Sequence, residues 1–178
     1  MTSNVARITV SLATALAGAV LPAAAQGGQQ SDLDFFIGKW EVELLDAGGN
    51  VTGQAQTHAY WILDGSAMQD DWRSLDRQGN VVFSGTSVRT FVPATGRWAI
   101  HWIPANTAGY TYIDAEWIDG ELQSTGAGFD ARGAFKERFR YFDITPVSYT
   151  FKMERSYDDG ATWSPWAHLR ATKVTDAD

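Results

Sequence analysis

The sequence predicts an all-β domain, a single antiparallel up-and-down barrel of about ten strands, behind an N-terminal signal peptide. Three observations predict it. Short runs rich in Trp, Tyr, Phe, Val and Thr recur along the chain, with 8 Trp, 6 Tyr and 9 Phe among 178 residues. Gly and Asp-Gly punctuation cuts these runs at intervals of about ten residues, the spacing of hairpin-linked strands. No long 3.6-residue period competes with them.

Residues 1–25 read as a signal peptide. Arg7 is the only charge before Asp32, Ile8 to Leu21 is apolar or small, and Ala23-Ala24-Ala25 follows Pro22. A charged start, a short apolar core and small residues at the cleavage site make an export signal. The run is shorter than the ~20 residues a membrane span needs. Residues 26–32 follow as a polar, flexible leader, and 33–176 form the folded domain.

Strands are expected at 36–45, 52–62, 67–75, 81–91, 97–103, 109–118, 121–129, 134–143, 147–156 and 162–174. Gly48-Gly49-Asn50, Asp64-Gly65, Gln78-Gly79-Asn80, Ala94-Thr95-Gly96, Asp119-Gly120, Ala131-Arg132-Gly133 and Asp158-Asp159-Gly160 supply the turns. Pro93, Pro104 and Pro146 fall at strand ends, where a missing N–H does no harm. Simple hairpin order favours closure, which removes exposed edges; a β-sandwich is the alternative. No internal repeat and no second domain is read.

The bulk chemistry narrows the function. A net charge of −7 without Lys/Arg clusters argues against nucleic acid and anionic membranes. With no Cys there is no disulfide, no lipidated Cys and no thiol chemistry, so an exported chain must be held by packing alone. Nothing announces a membrane anchor or a metal site, and a homodimer stays open. His58, His101 and His168 lie on three different strands without a metal-ligand spacing. Glu41/Glu43 and Asp114/Glu116 each share a face, which suits a solvated strand side or, if burial splits their pKa values, an acid–base pair. Asp70 and Asp71 point to opposite faces, so at most one is inside.

The aromatic faces are the stronger signal. Trp98, Ile100 and Trp102 alternate with Arg97, Ala99 and His101, and Tyr110 and Tyr112 alternate with Thr111 and Ile113. Phe135, Phe139 and Tyr141 share a face opposite Lys136, Arg138 and Arg140. Such residues offer apolar area with a polar handle, which suits both a packed core and a ligand cavity. Trp98, Trp102, Tyr110 and Tyr112 are the expected cavity walls, with Arg155 or His168 as a polar anchor. Ser156-Tyr157-Asp158-Asp159-Gly160-Ala161-Thr162-Trp163 matches the Asp-box, a β-hairpin found repeatedly in sialidase propellers. Occurring once, it indicates a hairpin shape in which Asp158, Gly160 and Trp163 are structural.

Gly38-Lys39-Trp40 near the start and Arg170 in the last expected strand resemble the calycin superfamily, which includes lipocalins and fatty-acid-binding proteins. The resemblance implies a lipocalin-like barrel in which Gly38 and Trp40 open the first strand. It also implies that Arg170 packs on Trp40 to close the floor through a cation–π contact. Thr90 to Trp98 and Phe142 to Trp163 are similar to a family of bacterial, often exported, lipocalin-like domains without an agreed activity. Nitrobindin-like haem barrels resemble the chain around His168-Leu169-Arg170, though the Glu41-Val42-Glu43 that follows Trp40 departs from their glycine-rich pattern. The expectation is a periplasmic or secreted barrel binding a small apolar or aromatic molecule, without a cofactor. The alternatives are isomerase, hydratase or decarboxylase chemistry on a buried Tyr, His or acid, and a haem barrel using His168. No catalytic residue is assigned.

Overall fold

The computed structural model describes residues 30–105 and 109–175; the expected signal peptide lies outside the described residues. Ten antiparallel strands close into one up-and-down barrel, each paired with its sequence neighbours and the first with the last. They are β1 (Gly38–Leu45), β2 (Val51–Ile62), β3 (Ala67–Leu75), β4 (Val81–Val92), β5 (Arg97–Pro104), β6 (Tyr110–Ile118), β7 (Glu121–Asp130), β8 (Gly133–Phe142), β9 (Ser148–Ser156) and β10 (Ser164–Lys173). Two short 3-10 helices, Gln30–Phe36 and Leu63–Gly65, are the only other regular elements among the described residues. No helix there is long and apolar enough to cross a membrane.

Odd-to-even hairpins lie at one end of the barrel, the mouth. The even-to-odd hairpins, the start of β1 and the end of β10 lie at the other, the floor. Local chemistry sets the turns. At the mouth, Asp46 accepts the backbone N–H of Gly48 and Asn50, both at 2.8 Å. Asp76 does the same for Gln78 at 2.9 Å and Asn80 at 2.8 Å. Leu-Asp-x-x-Gly-Asn-Val occurs twice, at Leu45–Val51 and Leu75–Val81, a seven-residue echo in a chain expected to have no internal repeat. Both hairpins place a register shift at the same step, after Leu44 and after Ser74.

Two expectations change at the floor. Phe36 does not open the first strand, and Ser31 and Asp32 of the expected leader lie in the 3-10 helix that ends at Phe36. That helix turns Leu33 and Phe36, three residues apart and fully buried, into the barrel as a plug. Trp40 Nε1 donates to the Phe36 carbonyl at 2.7 Å, fixing plug to strand. The cation on Trp40 is Lys173, its Nζ 5.3 Å from the ring, and not Arg170. Arg170 points outward and pairs with Glu43 at 2.6 Å, because Leu169 and Ala171 take the inward places on β10. Gly38 is needed beside this contact: its φ is +123°, and a Cβ would stand 2.9 Å from Lys173 Cε. Arg170→Ala should therefore change the unfolding free energy by less than about 0.5 kcal/mol, as exposed ion pairs do, in a urea titration.

Candidate functional site

The interior is built in levels. At the floor, Phe36 meets Tyr141 at 4.7 Å and Tyr149 at 5.2 Å between ring centroids, and Trp40 meets Tyr149 at 4.9 Å. Trp98, Met68 and Leu122 are sealed beside them, and Ala55, Ala59, Ala115 and Ala171 leave room for these rings. Edge-to-face packing of this kind contributes about 0.5–1.5 kcal/mol per pair beyond burial alone.

Above the plug lies a buried ion pair. Alternation on β3 turns Asp70 inward and Asp71 outward, and on β4 it turns Ser87 and Arg89 inward. Arg89 Nη2 donates to Asp70 Oδ2 at 2.9 Å, with the two side chains 4% and 12% exposed. Thr57 Oγ1 donates to Asp70 Oδ1. The guanidinium lies over the Phe36 ring, 4.3 Å from its centroid. Burial pushes the Tyr141 hydroxyl up to about 12, with the adjacent Arg89 charge pulling the other way. Burial also holds Tyr149 well above the ordinary tyrosine value. Both phenols are therefore protonated hydrogen-bond donors at neutral pH.

From this level to the mouth the walls are largely apolar. Ile100, Ile113, Phe139 and Phe151 line them, with the half-buried Trp72, Trp102 and Met153 above. Trp102 lies on Gly85, where a Cβ would stand 2.5 Å from the indole, so only a bare backbone admits the ring. Tyr141 lies deep in the barrel yet keeps accessible surface, as a side chain facing an internal space does. The space measures about 1880 Å³, a figure that takes in the mouth and the adjoining outer surface of β7–β10.

A second charged group sits below the rim. Arg155 Nε donates to Glu137 Oε2 at 3.1 Å, and Nη1 to Asp130 Oδ2 at 3.4 Å. Its guanidinium is sandwiched between Phe135 at 3.9 Å and Trp166 at 4.2 Å. Trp166 falls at the register shift of β10, which lets it fold over the rim. Burial raises Glu137, partly offset by Arg155. Holding Glu137 charged thus opposes folding, and its contribution to stability declines as pH rises through the raised value.

The residues expected from sequence separate. Trp98 and Trp102 face the interior, Trp98 sealed in the floor and Trp102 on the wall. Arg155 faces inward as described. Tyr110 and Tyr112 do not wall the interior: they are 54% and 42% exposed on the outer face. Register explains this, since Trp102 pairs with Thr111 and Ile100 with Ile113, leaving Tyr112 opposite His101 and Tyr110 on the same outer face. Tyr110 packs on Phe129 at 5.3 Å and Tyr112 on His101 at 5.1 Å. His168 also points outward, opposite Lys152, while Leu169 points in. His58 and His101 are exposed on outer faces too. The interior thus offers no imidazole to a haem iron, and among the described residues no cluster of His, Cys, Asp or Glu could hold a metal ion. Glu43 and Glu116 sit outside in pairs with Arg170 and Arg97.

The hairpin at Ser156–Trp163 is tightly bonded. Asp158 accepts from Ser156 Oγ at 2.7 Å, from the Thr162 N–H at 2.9 Å and from the Thr162 hydroxyl at 2.6 Å. These bonds, the Thr162 hydroxyl first, lower the Asp158 pKa to about 2. Gly160 takes the turn at φ +96°, and Arg138 stacks on Trp163 at 4.4 Å. All of this lies outside the cavity.

Ser87, Arg89, Glu137 and Tyr149 are interior residues that the sequence reading does not pick out; of Asp70 and Asp71 it is Asp70 that turns in, and Tyr141 follows Phe135 and Phe139 on the inward face of β8. One signal could have found Arg89. The β4–β5 turn sets Phe91 opposite Trp98, which sets Arg89 opposite Ile100 on the same face. A scan against protein-family models and a search of curated proteins both return no match.

Proposed function

We propose that the chain is an exported binding protein that holds a small apolar or aromatic molecule inside its barrel. The observation carrying this reading is the interior itself. Its floor is plugged by Leu33, Phe36 and Trp40, whereas the space above is open at the mouth and walled by Trp72, Trp102, Ile100, Ile113, Phe139 and Phe151. Barrels of this size can hold one small ligand, and concave, mostly apolar walls with a few convergent polar groups are what such ligands bind. The acid–base candidates His58, His168 and Glu116 lie on outer faces, which favours binding over catalysis by those residues.

The neutral fluorophore 1-(N-phenylamino)naphthalene tests the reading. Saturable uptake at one site is expected, with quenching of tryptophan emission through Trp72 and Trp102. Ser124→Phe projects a ring into the space from β7 and should weaken uptake about tenfold, the loss expected when an apolar pocket is filled. Absence of saturable uptake by the folded chain overturns the binding reading. Export is checked separately, by fractionation and by intact mass, which should show residues 1–25 removed.

A further inference from the structure

Six buried side-chain atoms among the described residues have no hydrogen-bond partner: Ser87 Oγ, Arg89 Nε, Arg89 Nη1, Arg97 Nε, Trp98 Nε1 and Trp117 Nε1. Each of them can donate, and five of the six can only donate. Ser87 Oγ and the two Arg89 nitrogens form one group. Residues 87 and 89 are two apart on β4, so both point into the barrel, and both line the cavity. Asp70 occupies only Nη2 of Arg89, and its carboxylate is also held by Thr57. The protonated Tyr141 stands beside the same guanidinium. A buried donor without an acceptor is costly, and more so on a charged group.

Resting on the binding reading above, we propose that the ligand is amphipathic: an apolar body with a carboxylate or equivalent anionic acceptor at its buried end. The acceptor seats at the bottom of the cavity against Arg89, Ser87 and Tyr141. The body extends toward the mouth past Ile113, Phe151 and Trp102. The free Arg89 nitrogens are closed to solvent, so seating the head group requires the guanidinium to turn toward the cavity while Nη2 keeps Asp70. The head group takes up the donor capacity that Asp70 leaves unused, and charge-assisted bonds of this kind are about twice as strong as neutral ones. Arg155 is a poorer seat, since Glu137 and Asp130 both engage it and two rings cover it.

Two ligands of equal shape test the proposal: naphthalene-2-carboxylate and naphthalene-2-methanol, each displacing 1-(N-phenylamino)naphthalene at neutral pH. The native chain should prefer the acid about tenfold or more, the margin by which a site built for a polar group rejects its weaker analogue. The charge-neutral double variant Asp70→Asn/Arg89→Gln should lose that preference and still bind the alcohol. Where that variant does not fold, Tyr141→Phe keeps the ring and both charges and should reduce the preference about fivefold, one hydrogen bond's share. Equal binding of acid and alcohol by the native chain overturns the proposal and leaves the binding reading standing. A preference that survives in the double variant, or that vanishes only in Arg155→Met, overturns it as well. Failure of all three compounds to bind is instead the failure of the binding reading.

Discussion

Replacing Arg89 with Met is expected to lower the thermal midpoint by about 10 °C, one of the two largest losses from a single substitution outside the glycines. The physical reason is asymmetry. Arg89 and Asp70 are nearly sealed, at 4% and 12% side-chain exposure, and each is the other's only ion-pair partner among the described residues. Removing one partner leaves an uncompensated buried charge, which costs about 3–5 kcal/mol, whereas removing both charges together is often nearly neutral. At ~2–4 °C per kcal/mol for a domain of this size, the single variant loses about 10 °C. The double variant Asp70→Asn/Arg89→Gln should recover most of it. Thermal melts followed by near-ultraviolet circular dichroism compare the three chains. Equal midpoints for single and double variants would mean that Arg89 contributes by packing over Phe36 and not by charge.

Phe36→Ala is the second. Phe36 is 2% exposed and touches Tyr141, Tyr149 and the Arg89 guanidinium together. Truncating a sealed phenylalanine costs about 3–5 kcal/mol through lost transfer energy and the cavity left behind. The loss should exceed that of Leu63→Ala, where the side chain is 70% exposed, by nearly the whole amount. Urea unfolding monitored by tryptophan emission gives both values. A small loss at Phe36 would show that the plug is dispensable to the barrel.

The strands were readable because turn chemistry is local. Asp46, Asp76 and Asp158 satisfy their own loops, so each marks a hairpin without reference to the rest of the chain. Strand polarity toward or away from the interior is a different kind of information. It depends on register with a neighbour, and one step reverses it. Here the usual guide also fails, because the polarity of the two faces is mixed. Asp70, Arg89, Glu137 and Arg155 point in, while Tyr110, Tyr112 and Phe129 point out. Trp98 and Trp102 could be placed correctly, since Ile100 completes an apolar face. Tyr110 and Tyr112 could not, since Thr111 is the residue that turns in and its hydroxyl makes it look solvated. Trp40 lies at the floor as the calycin resemblance implied, but its cation could not be told from sequence. Arg170 and Lys173 differ by three places along one strand, and only pairing with β1 decides that Lys173 lies across from Trp40.

The chain enters and leaves the barrel at one pole. The plug ends beside Trp40, and the Val174 N–H donates to Lys39 O at 2.8 Å, so the described segments before β1 and after β10 both lie on the floor side. The mouth faces the opposite pole, where β1, β3, β5, β7 and β9 end. A biosensor surface, a fluorescent reporter or a partner domain joined at either end of the barrel would therefore hold it upright with its opening turned away from the attachment. Immobilisation by either end should leave the affinity of a barrel ligand the same as in free solution.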